Sequence, residues 1–252
     1  MKNRDHCPPA ILLIGGLLAF QASHAAQAQE PIFDDREQEA IQQIIEDHLV
    51  NNPGVIVKAL ESLRRKQEVE AAAKVKDAIA SNYFALADDA NSPFAGNEAA
   101  DVAVVEFFDY RCPYCKKVAG DVDRLLEADD ELKVVYKEWP ILGPESVVAA
   151  RAALAARKQD SYLPFHRKVM AMREVTEASV MAAAEELGLN MDQLKKDMNA
   201  PEVDEHLKET MRLTRELGIE GTPAFVIGDE LVPGAATFEQ LQTLVAKARE
   251  GS

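Results

Sequence analysis

The chain has 252 residues, with 43 Asp and Glu against 28 Lys and Arg, a formal net charge of −15. That balance excludes a nucleic-acid role, which needs a basic face toward phosphate, while the length allows one well-packed domain plus an accessory element. Only three cysteines occur, Cys7, Cys112 and Cys115, too few for a disulfide framework.

Residues 1–28 combine a basic start (Lys2, Arg4), an apolar stretch from Ala10 to Phe20 and the small residues Ala26-Gln27-Ala28. This pattern predicts a cleavable export signal, with the mature chain starting near Gln29 in an oxidising, periplasmic setting. An uncleaved anchor is the alternative, although the apolar stretch is well short of the roughly 20 residues that span a bilayer. Residues 29–86 read as a helical accessory segment. Ile41, Ile44, Ile45 and Leu49 share one helical face, Asn51-Asn52-Pro53-Gly54 breaks the run, and Val55, Ile56, Ala59, Leu60 and Leu63 resume it. Two helices of this kind cannot bury both apolar faces alone, so residues 35–84 are expected either to dock on their own catalytic domain or to associate with copies of themselves.

Residues 87–100, rich in Ala, Asp, Asn, Pro and Gly, read as a linker to a second domain at 101–252. The apolar run Val102 to Phe108 predicts a buried strand, followed by a helix from Pro113 to about Ala128 and a second strand from Leu132 to Trp139, a βαβ unit with parallel strands. A helical tract covers about 145–217, with breaks near Asp160, Thr176, Gly188 and Pro201. Short strands at Ala224 to Ile227 and Glu230 to Val232 flank the turn Gly228-Asp229, and a last helix runs from about Phe238 to Arg249. The order gives an α/β class: a thioredoxin fold with a helical insertion, preceded by an N-terminal α-helical hairpin.

Cys112-Pro113-Tyr114-Cys115 sits where the first strand gives way to its helix. A thiol there faces unpaired backbone N–H groups and the positive end of the helix dipole, which favour thiolate, so Cys112 is the expected nucleophile and Cys115 the resolving thiol. Pro113 suits the first helical position because its missing donor is unneeded there. Tyr114, between the two sulfurs, is placed to tune both. A structural disulfide across so short a loop would gain little, and the histidines show no zinc-ligand spacing near the motif. Two thiolates at Cys112 and Cys115 can still hold Cu(I), so a copper-binding reading stays open; otherwise no metal or cofactor is expected beyond the redox-active cysteine pair itself. Glu106 is the only charged residue inside Val102 to Phe108, and a buried carboxyl without a partner is held protonated. A solvated strand-edge Glu is the alternative. Asp109, Tyr110 and Arg111 read as the rim of the site, and Trp139, His166, Met170 and Met172 as core.

The segments Val105-Glu106-Phe107-Phe108-Asp109-Tyr110, Cys112-Pro113-Tyr114-Cys115, Gly221-Thr222-Pro223-Ala224-Phe225 and Val232-Pro233-Gly234 resemble the DsbA-like thiol-disulfide oxidoreductases. The prefix His48-Leu49-Val50-Asn51-Asn52-Pro53 with Ala59-Leu60-Glu61 is similar to the N-terminal segment of suppressor-of-copper-sensitivity ScsC proteins. The resemblance implies a cis Thr222-Pro223 bond beside the active site, with the Thr222 backbone offered to an extended substrate. It implies that Glu106 accepts the Cys115 proton, with Lys137 as candidate charge partner. It further implies protein substrates carrying disulfides or thiols, a membrane redox partner that renews the site, and a homo-oligomer, a trimer in some members, through residues 35–84. Isomerase or reductase action, with a link to copper stress, is then favoured over a DsbA-like oxidase or a Cu(I)-binding accessory protein.

Overall fold

The computed structural model describes residues 32–251, so the expected signal at 1–28, the start at Gln29 and Cys7 lie outside the described residues. Two compact units divide between Glu61 and Ser62. In the first, α1 (Asp35–Asn51) begins at a reciprocal cap: the Asp34 carboxylate accepts from Glu37 N and the Glu37 carboxylate accepts from Asp34 N, each at 2.9 Å. The Asn52-Pro53 break follows, and α2 (Gly54–Ser81) starts. No residue of α1 is buried, and Ile44, Ile45 and Val50, with Ile56 and Leu60 of α2, remain exposed.

The second unit is built on a five-stranded sheet of order β1-β3-β2-β4-β5. Central β2 (Val102–Phe108) pairs in parallel with β3 (Leu132–Glu138) and antiparallel with β4 (Ala224–Ile227), which turns into β5 (Glu230–Pro233). Helix α3 (Pro113–Ala128) makes the β2–β3 crossover. The insertion comprises α4 (Pro144–Arg157), α5 (Tyr162–Met170), α6 (Glu177–Glu186), α7 (Met191–Met198) and α8 (Pro201–Leu217), and α9 (Phe238–Glu250) closes the fold. The breaks between these helices carry the expected signals: Asp160 and Gly188 in left-handed conformations, Thr176 as an N-cap, and Pro201 in the first turn of α8.

Both faces of the sheet are covered. Val104, Phe108, Val134, Tyr136 and Phe225 enter a core shared with α3, α9 and the insertion. Val105, Phe107, Val135 and Val226 enter a second core with Ile79 of α2, Leu86, and Leu213 and Leu217 of α8. Residues at the C-terminal end of α2 therefore belong to the catalytic unit.

Within the linker expected over 87–100, residues 94–96 form an edge strand of the sheet. A π-helical turn at Phe84–Asp88 is followed by β1 (Phe94–Gly96), antiparallel to β3, and Leu86, Ala87, Ser92 and Ala95 are buried. Its composition is loop-like because the strand is only three residues long, yet β3 has an edge to be paired and polar groups to be satisfied there: Lys133 reaches Asp88 at 3.1 Å. Gly96 lies at φ +92°, where an added Cβ would stand 2.3 Å from the Leu132 carbonyl oxygen. Gly96→Ala is expected to lower the urea-unfolding free energy by roughly 2–4 kcal/mol through this clash and strain; a silent substitution would mean that the segment is an unstructured tether.

Candidate active site

The site forms where β2 ends. Asp109 to Arg111 make a tight turn, and Cys112 is the N-cap of α3 in extended conformation (φ −70°, ψ 119°), with Pro113 in the first turn. The Cys112 backbone N–H donates to Asp109 O at 3.0 Å, and its carbonyl accepts from Lys116 N at 3.1 Å. Its thiol donates to the Thr222 carbonyl oxygen at 3.2 Å. Thr222-Pro223 is a cis peptide bond, and the Pro223 carbonyl accepts from Gly234 N at 2.9 Å. The antiparallel β2–β4 pairing, with Phe107 opposite Ala224, brings this loop to the sulfur.

Cys115 lies one turn further into α3, wholly buried and not joined to Cys112 in this structure. Burial pushes its thiol far above the usual range; a backbone hydrogen bond near Asp109 opposes this, and the charge of Glu106 adds to it. Tyr114, between them, is 62% exposed.

Glu106 is 2% exposed, which removes the solvated-edge reading. It stands opposite Tyr136 in the β2–β3 register and Phe225 in the β2–β4 register. Its carboxyl has no hydrogen-bond partner among the described residues, and burial, reinforced by the negative charge of Asp123, pushes it up to about 8. Lys137 is not its partner. Lys137 pairs with Phe107 in the register, so its side chain leaves the sheet on the opposite face. There, 1% exposed, it donates to Ala85 O at 2.6 Å and Ser92 Oγ at 2.5 Å, with Asp89 4.0 Å away, and burial holds its amine down to about 8. The expected tuning role thus gives way to a structural one, tying residues 85–92 to the sheet.

Two residues read as rim are interior. Asp109, 1% exposed, accepts from Arg111 N (2.7 Å), Ile141 N (2.8 Å), Leu142 N (3.0 Å) and Ser146 Oγ (2.8 Å), so one carboxylate fixes both the active-site turn and the β3–α4 connection. Tyr110 is buried, its hydroxyl 3.1 Å from His166 Nδ1 in a cluster with Phe108, Tyr136 and Tyr162; burial there drives His166 down to about 3. Arg111 stays at the surface, donating to Leu142 O and Glu145. Residues not singled out by sequence are Lys116, whose amine donates to the Val169, Met170 and Met172 carbonyls at the end of α5, and Asp123, which pairs with Arg167 at 2.7 Å. The spacing 116, 119, 120, 123 on α3 marks one helical stripe and would have grouped them. Among the described residues, no three His, Cys, Asp or Glu side chains come together as a metal site.

Residues 103–246 match the family described as DSBA-like thioredoxin domain. The chain belongs to that family. Residues 37–70 match the copper resistance protein ScsC N-terminal domain, which makes this a DsbA-like protein of ScsC type within the thiol-disulfide oxidoreductases. A thioredoxin-like oxidoreductase from Silicibacter pomeroyi is 48% identical, covering 67% of this chain and 98% of that one, with a TM-score of 0.66. ScsC of Proteus mirabilis in a transitional conformation is 30% identical over 88% of this chain and 99% of its own, with a TM-score of 0.64. Among curated relatives, the disulfide bond formation protein D of Bacillus subtilis is 24% identical over 172 residues. The Na(+)/H(+) antiporter NhaA of Herminiimonas arsenicoxydans is 27% identical over 159 residues, and there the chain spans only 25% of the relative's length. No helix among the described residues is long and apolar enough to cross a membrane.

Glu106 sets a pH dependence of stability. An acid raised from 4.5 to about 8 binds more proton folded than unfolded across that interval, so stability falls as pH rises through it. His166, lowered from 6.5, acts only below that value, and Lys137, lowered from 10.5 to about 8, only above about 8. Between pH 6.5 and 8 the unfolding free energy of the reduced protein is therefore expected to fall, by up to about 1.4 kcal/mol per pH unit, and Glu106→Gln to flatten that slope in urea titrations. An equally steep slope in the variant would contradict the assignment.

Proposed function

We propose that the protein is an exported, periplasmic thiol-disulfide exchange enzyme acting as an isomerase or reductase on misoxidised proteins. The observation that carries this reading is the Cys112 sulfur, at the start of α3, within 3.2 Å of the backbone of the cis Thr222-Pro223 loop. An extended client paired along that loop would bring its own sulfur to Cys112. The Cys112 thiolate attacks a client disulfide, forming a mixed disulfide and releasing one client thiolate, which takes a proton from solvent. Cys115 then gives its proton to Glu106, and its thiolate attacks the Cys112 sulfur. The second client thiolate leaves, and the enzyme holds the Cys112–Cys115 disulfide. Alternatively, a different client thiolate attacks the client sulfur of the mixed disulfide, forming a rearranged client disulfide and expelling the Cys112 thiolate. A carboxyl near 8 is close enough to working pH to take and return this proton. Thr222 and Pro223 bind the client, while Pro113 and Tyr114 tune the sulfurs, and the Cys112–Cys115 pair itself carries the redox change.

The isomerase direction is supported by the ScsC-type N-terminal match and by the apolar side chains of α1 and early α2 that remain exposed. A trimer assembled through this segment would set several sites around one client and bar a membrane oxidant, leaving renewal to a membrane reductant. A role in copper tolerance fits the name of the matched N-terminal family, since copper misoxidises thiols. The name of the Bacillus subtilis relative keeps an oxidase as the second reading, and Cu(I) capture by the two thiols as a third.

Purified protein is expected to repair scrambled ribonuclease and reduce insulin, Cys112→Ser to lose both activities, and Cys115→Ser to accumulate mixed disulfides. Fast oxidation of reduced clients without repair would favour the oxidase, and tight binding in a bicinchoninate competition, without exchange, the copper carrier. Sedimentation is expected to give a trimer that dissociates on removal of residues up to 61; a monomeric full chain would overturn the assembly.

A further inference from the structure

The proton taken from Cys115 starts inside the protein, and Glu106 offers no hydrogen-bonded chain to carry it away. On the α3 side of the sheet, however, Glu106 borders a cavity of about 200 Å³ between α3 and α5. Its inner wall is buried: Glu106, Val122, Tyr136, His166 and Met170. Its outer wall reaches the surface at Gly120, Ala171 and the Asp123–Arg167 ion pair, whose side chains are 33% and 47% exposed. Neither the Glu106 carboxyl nor the Tyr136 hydroxyl has a hydrogen-bond partner among the described residues, so both are free to bond to water there. At about 30 Å³ per molecule, the space accommodates several waters, and its polar walls suit them. On the opposite face of β2, Lys137 is occupied by Ala85 O and Ser92 Oγ.

We propose that this cavity is the path by which the Cys115 proton, once on Glu106, reaches solvent, with Asp123 and Arg167 as positioning residues at its mouth. The inference rests on Glu106 being the proton acceptor. The transfer moves one proton from the Cys115 sulfur to a Glu106 oxygen, then through cavity water to bulk, and no electrons move along it. The groups facing Glu106 are Tyr110 from the turn before α3, Cys115, Lys116 and Asp123 from α3, Tyr136 from β3, and His166 and Arg167 from α5; its β4 neighbour, Phe225, does not titrate. Lys116 is engaged with the end of α5 and Arg167 with Asp123, which leaves Asp123 as the carboxylate whose charge opposes ionisation of Glu106. Its removal makes Glu106 a base at lower pH.

The sequence provides a plug. A Cβ on Gly120 would meet nothing within 4 Å, so the backbone there accepts a side chain, and Gly120→Leu is designed to place an apolar one at the cavity mouth in a helix that loses a glycine. The test uses reduced full-length protein and an aromatic disulfide whose thiolate is coloured when released. Stopped-flow absorbance then shows one release for attack by Cys112 and a second for resolution by Cys115. Gly120→Leu is expected to slow the second phase roughly tenfold, within the range of a lost proton-transfer contribution, while Gly120→Ala keeps the wild-type rate. Asp123→Asn is expected to move the pH midpoint of the second phase downward. Should Glu106→Gln slow the second phase while Gly120→Leu and Asp123→Asn keep wild-type rates and midpoints, the route is wrong and the acceptor stands. A wild-type second phase in Glu106→Gln would remove the acceptor and the route together. Because Asp123→Asn keeps side-chain shape, its midpoint decides the case even if Gly120→Leu folds poorly.

Discussion

A strand covered on both faces leaves each side chain only the choice of which core to enter, and the active site follows from how β2 makes that choice. Val104, Glu106 and Phe108 go toward α3; Val105 and Phe107 go toward α2 and α8. The carboxyl is therefore delivered to the side where Cys115 is buried, without any choice of rotamer that could take it elsewhere. The parallel, in-register pairing with β3 extends the same rule to the next strand, sending Tyr136 toward Glu106 and Lys137 away from it. A slip of one residue in β2 would put Phe107 where the acid stands and turn Glu106 to the other core.

Much of this was legible in the chain. The apolar run ending at Phe108, the proline after Cys112 and the turn residues between the insertion helices are local signals, each read within a few residues. Lys137 was misread because pairing register is a non-local property: nothing in Leu132 to Glu138 says which residue lies opposite Glu106. Nor does it say that both sides of β3 are covered, the second by residues from α2, the 84–92 segment and α8. β1 escaped for a related reason. Phe94-Ala95-Gly96 is too short to show alternation, and it becomes a strand only because β3 presents an edge to be paired. Asp109 and Tyr110 were read as rim because they adjoin the motif, whereas the turn folds them inward onto groups 30 or more residues away.

Both thiols are buried, Cys112 at 4% exposure and Cys115 wholly, but their neighbours differ. Cys112 contacts a backbone carbonyl from the cis-proline loop, next to an exposed Tyr114, whereas Cys115 is enclosed by the core. In the proposed mechanism this difference separates the sulfur that meets clients from the one that finishes the exchange. Glu106 lies on the same side of the sheet as Cys115, and no hydrogen bond among the described residues holds its carboxyl, as the proposed proton acceptor requires.

The four hydrogen bonds accepted by Asp109 reach further than the turn that holds it. They join the loop before Cys112 to Ile141, Leu142 and Ser146, so the surface flanking the outer sulfur is locked when the chain folds. The freezing of those loops is settled once, during biosynthesis, and is not repeated at each encounter. In the proposed function, a client losing freedom on capture meets a surface already ordered by these bonds. Preorganisation of this kind lets a catalyst serve clients that share no sequence, because the order resides in the enzyme.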